Sequence, residues 1–253
     1  MGIFTKEEIR ALIISIFVLG IVFGLDDKRE VFQFSYWVLN FLRVLIIVSI
    51  ILVLREHVRK IIAGKFYAET EYRIWGITRI GFGKGAKLPI KLFRFEVKSI
   101  WLGVILPLLV SIVSFGKAYF PVVGMFDVKG DVVKRIGRRF IKLTEFETAL
   151  IALSGIIVNI ILVLFFSIFN KFINFNQFIS INMWIAMFSF LPLGNLDGSK
   201  IFFNSILLYI LSLAFTIFIF ILIPYLGLVS TIILSIIFAL IATFAYFKLF
   251  EYK

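Results

Sequence analysis

Arg55, Glu56 and Arg59 lie at the end of a long apolar segment, in a pattern that could carry metal chemistry. In the zinc-binding motif H-E-x-x-H, two histidines four residues apart share one face of a helix and hold the metal. The glutamate beside the first histidine activates a metal-bound water. In this chain the glutamate is present, and arginine stands at both histidine positions. Arginine stays protonated and has no lone pair to give a metal. A charged cluster at a helix end is also typical of an anchor at the membrane interface.

Three further stretches give this pattern a context: YAETEYRIW at 67–75, ALIALSGIIVN at 149–159 and FSFLPLGNLDGSKIFF at 188–203. Together with residues 54–63, and in this order, they resemble the site-2 protease family of intramembrane zinc metalloproteases, particularly its archaeal-type members. The resemblance covers about residues 37–205, and its most specific part is LPLGNLDGSK. It implies a membrane-embedded protease core with a degenerate H-E-x-x-H motif, and therefore a pseudoprotease.

The resemblance also implies where the metal site of an active member would fall. The first ligand position falls on Arg55, the base on Glu56 and the second ligand position on Arg59. The aspartate of the L-D-G element, the family's third ligand, corresponds to Asp197. His57, the only histidine in the chain, lies at none of these positions. Since a catalytic zinc needs three protein ligands, we expect no bound metal and no catalytic residue, with Glu56 as the vestige of a base.

A candidate substrate groove follows from two other elements of the family. In its A-G-P-x-x-N element, this chain keeps Gly155 and Asn159 and has Ile156 in place of the proline. In its N-x-x-P element, the chain keeps Pro192 and has Ser189 in place of the asparagine. The resemblance therefore assigns Asn159, Ser189 and Pro192 to the groove, although small polar residues also pack membrane helices routinely.

The two arginines suggest another use of the same place. Ionisable side chains inside a membrane are costly and tend to be paired. Arg55 and Arg59 lie one helical turn apart, and together they carry the charge of a zinc ion. The resemblance implies that Asp197 would face them. We expect a structural cluster of Arg55, Glu56, Arg59 and Asp197, in which arginine–carboxylate pairs tie two helices together. In the alternative, both arginines reach the cytoplasmic headgroups and do not contact Asp197.

The elements that must position these residues are apolar helices. The chain has 253 residues, is 61% hydrophobic and has a mean hydropathy of +1.06, too apolar for a soluble domain of this length. Runs long enough to span a bilayer occur at 9–25, 37–54, 147–169, 178–203, 205–223 and 228–248. A shorter run at 99–116 is interrupted by Gly103 and Pro107. The segment before this run has alternating residues around Gly-rich turns, which predicts short strands or a hairpin, and the segment after it is strand-like near its start.

The distribution of charge predicts the orientation of these elements. The net charge is +12, and the excess of Lys and Arg lies in segments 55–98 and 117–145. If both segments face the cytoplasm, run 99–116 does not cross and forms a re-entrant or buried helix. The prediction is an all-α polytopic membrane protein with about six transmembrane helices, short β-strand insertions on the cytoplasmic side and both termini cytoplasmic. In the alternative, run 99–116 crosses and one basic segment lies outside.

We expect a single membrane domain, 1–253. It comprises an N-terminal helix and loop at 1–36, the protease-like core at 37–205 and a C-terminal helical pair at 206–253.

The function expected from these features is that of a catalytically inactive homologue of site-2 proteases. It would bind membrane proteins or transmembrane segments, or act as a subunit of a membrane complex. A basic stripe is expected to contact anionic lipid headgroups rather than nucleic acid, because no aromatic stacking platform accompanies it. The stripe consists of Lys84, Lys87, Lys91, Arg94 and Lys98.

Two alternatives stay open. One is an active intramembrane metalloprotease with altered ligands, for which zinc would be the cofactor. The other is a transporter or channel, which predicts a continuous polar pathway.

Overall fold

The structure, a computed structural model, describes residues 4–27, 29–77, 90–92, 95–97, 100–129 and 143–251. The helices in these ranges are α1 Lys6–Gly24, α2 Phe34–Lys65, α3 Leu102–Val113, α4 Glu145–Phe169, α5 Asn176–Ser189, α6 Asp197–Asn204, α7 Ile206–Leu222 and α8 Leu228–Tyr246, followed by a π-helical turn at Phe247–Glu251. The strands are β1 Glu69–Ile74, β2 Ile90–Leu92, β3 Phe95–Val97 and β4 Gly124–Lys129. Strand β1 pairs with β4, and β2 pairs with β3 in an antiparallel hairpin that sets Ile90 opposite Val97.

The helices support the predicted all-α membrane protein. Among the described residues, three helices are long and apolar enough to cross a membrane: Phe34–Lys65, Glu145–Phe169 and Leu228–Phe250. Two shorter apolar helices are α3 and α7. Helix α3 has 12 residues and is about 18 Å long, shorter than a hydrocarbon core of about 30 Å. The number of crossings and the orientation of the termini stay predictions.

The apolar run 178–203, expected to span as one helix, is two helices. Helix α5 ends at Ser189 and α6 begins at Asp197. Pro192 lies in the connection, where it has no N–H for a helical hydrogen bond, and Gly194 adopts a φ of +52°. The Tyr209 hydroxyl donates to the Phe190 carbonyl at 2.9 Å and so satisfies an acceptor freed by the end of α5. The break sets Asp197 at the first position of α6.

The predicted strands are present on both sides of α3. The motif TEYR (70–73) lies in β1, and β4 begins near the start of the second basic segment. The hairpin β2–β3 confirms the strand prediction for the first basic segment, and Lys91 lies in β2. The Gly-rich turn expected in the first basic segment, which would fall at 81–87, lies outside the described residues, as do the stripe residues Lys84, Lys87, Arg94 and Lys98.

The chain divides into two compact units. The first comprises Met1–Ile46 and Tyr72–Met125, and the second comprises Ile47–Glu71 and Phe126–Lys253. In the first unit, the buried Glu8 closes a capping box with Thr5 at the start of α1. Its carboxylate also accepts from the Tyr72 N–H at 3.1 Å, while the Tyr72 hydroxyl bonds to the Ser15 hydroxyl at 2.8 Å. These bonds fix Tyr72 against α1. The predicted domain boundaries stay predictions.

The second unit has a continuous apolar core. Its fully buried members come from the end of α2, from β4 and from α4, α5, α6 and α7, and include Ala63, Phe126, Ile151, Ile156, Ala186, Ile201 and Ile219. All four residues expected to form the structural cluster belong to this unit.

Candidate functional site: a buried arginine–carboxylate network

Two helices of the second unit meet through charged side chains. Arg55, Glu56 and Arg59 lie on α2, and Asp197 lies at the start of α6. Arg55 Nη2 and Arg59 Nη2 both donate to the same oxygen, Asp197 Oδ2. Arg59 Nη1 donates to Glu56 Oε1 at 2.6 Å, and Arg55 Nε lies 4.0 Å from the same oxygen. The structure thus brings together the four residues that the sequence suggests as a cluster. These four residues form the ionic network.

Almost no part of the ionic network is exposed. The exposed fractions are 1% for Arg59, 2% for Glu56, 4% for Asp197 and 8% for Arg55. Burying a charge costs several kcal/mol unless it is paired and hydrogen-bonded. The two positive charges of the guanidinium groups equal the two negative charges of the carboxylates, so the pairing removes most of the cost of burial. A network of this kind holds its helices in one register, because displacement of either helix exposes an unpaired charge.

Helix α4 provides the space in which the guanidinium groups meet. A Cβ atom at Gly155 would lie 2.3 Å from Arg59 Nη2 and 3.2 Å from Arg55 Nε. The guanidinium of Arg59 therefore packs directly on the backbone of α4. The sequence suggests Gly155 only as a motif residue. In the structure, the absence of a side chain at Gly155 leaves the space that both arginines occupy.

Helix α6 provides the acceptor. Asp197 occupies the first turn, where the positive end of the helix dipole favours a carboxylate. Gly198 permits the close approach of the preceding chain, because a Cβ there would lie 2.3 Å from the carbonyl of Phe190. The short helix and its glycine thus fix Asp197 toward α2.

Lys200 and Phe126 lie beside the ionic network, and the sequence does not identify them as site residues. Lys200, three positions after Asp197, donates from Nζ to the Phe126 carbonyl, and Nζ lies 3.6 Å from the centroid of the Phe126 ring. Arg59 Cζ lies 4.5 Å from the same ring. Two cations therefore share one fully buried aromatic ring, an arrangement that stabilises them through the ring quadrupole. Asp127 also acts on Lys200 electrostatically. The spacing of Asp197 and Lys200 on one helix face was the only signal for this in the sequence.

The residues assigned to a substrate groove lie apart from this pairing. Asn159 is fully buried on α4, and neither of its amide atoms has a hydrogen-bond partner among the described residues. Ser189 donates to the Ile185 carbonyl at 2.6 Å within its own helix, and Pro192 is exposed in the α5–α6 connection. No hydrogen bond within the described ranges joins these three residues, so their assignment to one groove stays a prediction.

The ionic network does not fit a zinc ion. Asp197 already accepts from two guanidinium groups, and arginine offers no lone pair. His57 is only partly buried and belongs to no such group: in the part of the chain that the structure describes, no three His, Cys, Asp or Glu side chains could hold a metal together.

The fold and the site together define an apolar, largely helical protein of the membrane type with a buried ionic network between two helices. Comparison of the chain with protein-family models, with curated proteins and with solved structures found no match. The resemblance to site-2 proteases therefore rests on the sequence motifs alone.

Proposed function

We propose that this chain is a non-catalytic membrane protein with a site-2 protease-like core, in which the ionic network stands where an active member holds its metal. In this function the chain binds transmembrane segments of other proteins without cleaving them. The observation that carries the proposal is the convergence of Arg55 and Arg59 on one oxygen of Asp197. Two fixed positive charges there neutralise the carboxylate as a metal would, but they cannot activate water.

The position of Glu56 supports the loss of catalysis. A general base must reach the proton that it abstracts, either directly or through one water. Glu56 instead accepts from Arg59 at 2.6 Å and is 2% exposed. Its carboxylate is committed to the ionic network, so Glu56 is not available there as a base for the hydrolysis of a peptide bond.

The metal content of the purified protein tests the non-catalytic assignment. The full chain is purified in mild detergent, and zinc is measured by inductively coupled plasma mass spectrometry for the wild type and for Asp197→Ala. Glu145→Ala, which removes an exposed carboxylate at the start of α4, is the matched control. We expect zinc well below one per chain in all three. One zinc per wild-type chain that disappears only in Asp197→Ala would instead identify a metalloprotease with altered ligands.

Site-specific photo-crosslinking tests the binding of transmembrane segments. A photoreactive residue is placed at Leu193, which is exposed beside Pro192, or at Ile237, which is exposed on α8. We expect discrete adducts with membrane-protein segments from position 193 and only lipid adducts from position 237. Equal adduct patterns at the two positions would contradict the proposed function.

A further inference from the structure

A groove of about 750 Å³ lies in the second unit between α5 and α7. Its α5 side consists of residues that recur every three or four positions, including Asn176, Ser180, Met183 and Met187. This spacing keeps them on one helix face along the whole of α5. Ile217 and neighbouring apolar residues of α7 form the opposite wall.

The polarity of the groove is confined to one end. Apart from Trp184, whose indole carries one N–H, Asn176 and Ser180 are its only polar lining residues among those the structure describes, and both lie in the first two turns of α5. The Ser180 hydroxyl makes no hydrogen bond among the described residues, whereas Ser189 of the same helix donates to a backbone carbonyl at 2.6 Å. Asn176 accepts at Oδ1 from Asn170 at 2.8 Å, which leaves its Nδ2 hydrogens to donate outward. The rest of the lining is apolar, including the two adaptable methionines.

The size of the groove suits one hydrocarbon chain rather than a helix. A group of about 30 Å³, the volume share of a water molecule and close to that of a methylene, fits roughly 25 times into this space. Helix α5 has 14 residues, about 21 Å, which exceeds half of a hydrocarbon core of about 30 Å. A transmembrane helix about 10 Å wide over that length has a volume of roughly 1,600 Å³, about twice that of the groove, so the groove could take in only one side of a helix.

We propose that the groove binds one acyl chain of a membrane phospholipid. The acyl chain lies along Met183 and Met187, and its ester carbonyl accepts hydrogen bonds from the Ser180 hydroxyl and the Asn176 amide. The polar pair lies at the beginning of α5, next to the α4–α5 connection. Because α4 is long and apolar enough to cross a membrane and ends at Phe169, we expect headgroups near this connection. This site goes beyond the proposed function and does not depend on it, because none of its residues belongs to the ionic network.

Native mass spectrometry of the detergent-purified full chain tests this site. We expect one phospholipid retained per wild-type chain. Met183→Trp fills the groove and should abolish retention, while Ile237→Trp, an exposed position of α8 away from the groove, should leave it unchanged. Ser180→Ala removes one donor at nearly constant volume and should weaken phospholipid binding roughly fivefold, the effect of one hydrogen bond. Equal retention in the two tryptophan variants would overturn the proposal.

A second measurement distinguishes an acyl chain of a phospholipid from a free fatty acid, and it remains available if Met183→Trp does not fold. Trp184 lines the groove and is 40% exposed, so bromine on a bound acyl chain should quench its fluorescence. The other three tryptophans, Trp37, Trp75 and Trp101, are replaced by phenylalanine. We expect brominated phosphatidylcholine to quench saturably at one per chain, with brominated free fatty acid binding at least tenfold more weakly.

The remaining outcomes of these measurements overturn the phospholipid assignment. Tighter binding of the free fatty acid would reassign the ligand, and non-saturable quenching would indicate surrounding lipid only. A photo-crosslink from position 187 to a polypeptide would assign the groove to a partner helix.

Discussion

Replacing Gly155 by alanine tests the packing of the ionic network most directly. On helix propensity alone, Gly→Ala inside a helix stabilises by about 1 kcal/mol. The structure predicts the opposite sign, because the new Cβ would lie 2.3 Å from Arg59 Nη2 and 3.1 Å from Arg59 Cζ. To reach ordinary contact, the guanidinium must move by about 1 Å or more relative to α4, and it then loses alignment with Asp197 and Glu56.

The expected size of the destabilisation follows from two costs and one opposing gain. Overpacking a filled interior costs about 1–3 kcal/mol, and breaking a buried ion pair costs about 3–5 kcal/mol. Partial loss of the pairing, offset by the propensity gain, gives a net destabilisation of roughly 2–4 kcal/mol. We expect this as a lower melting temperature and a lower midpoint of denaturation in SDS for the detergent-solubilised protein.

Gly64→Ala is the matched control for this substitution. Gly64 lies on α2 and is exposed, and a Cβ atom at this position would meet no atom within 4 Å outside its own stretch of helix backbone. It should show the propensity effect alone, a small stabilisation of up to about 1 kcal/mol. If Gly155→Ala proves as stable as Gly64→Ala, the guanidinium of Arg59 does not pack on α4 and the described network is wrong.

Three further substitutions have defined outcomes by the same melting measurement. Asp197→Ala leaves two buried guanidinium groups without their shared acceptor and should destabilise the protein by about 3–5 kcal/mol. Loss of an exposed carboxylate should change the stability little, and an unchanged melting temperature in Asp197→Ala would refute the pairing of α2 with α6. Lys200→Met keeps the apolar stem but removes the contacts of Nζ with Phe126, for an expected loss of about 1–3 kcal/mol; stabilisation would show that burial of this charge outweighs its contacts. Tyr209→Phe removes the bond to the Phe190 carbonyl and should cost about 1 kcal/mol, with no effect if water replaces it.

Much of the ionic network could be predicted from the sequence. Arg55 and Arg59 share a helix face by spacing alone, and opposite charges within apolar segments must find each other. The aspartate of the L-D-G element is the acidic residue that the motif brings to the same place. The role of Gly155 could not be predicted in this way, because its importance depends on which side chain of α2 reaches the backbone of α4.

The break between α5 and α6 shows the other limit. Counting apolar residues over 178–203 gives one helix, since the residues of the connection, such as Phe190 and Leu191, are as apolar as those of the helices. Pro192 signals an interruption. The chain forms two helices because the Tyr209 hydroxyl bonds to the Phe190 carbonyl that the end of α5 frees, and Gly198 leaves room for that carbonyl. These contacts come from residues beyond the proline, and no local pattern reveals them.

Because two arginines donate to a single oxygen of Asp197, the four members of the ionic network should differ in how well they tolerate substitution. Loss of Arg55 leaves Arg59 bridging Asp197 and Glu56, so each carboxylate keeps a cation. Loss of Asp197 takes the shared acceptor from both arginines at once; Arg59 keeps its bond to Glu56, while Arg55 keeps only the 4.0 Å approach of its Nε to Glu56. Substitutions at Arg55 and Arg59 should therefore be strongly non-additive, each partly masked by the other. Loss of Arg59 leaves Arg55 on Asp197 but removes the hydrogen bond to Glu56, so Arg55 should tolerate substitution better than Arg59 or Asp197.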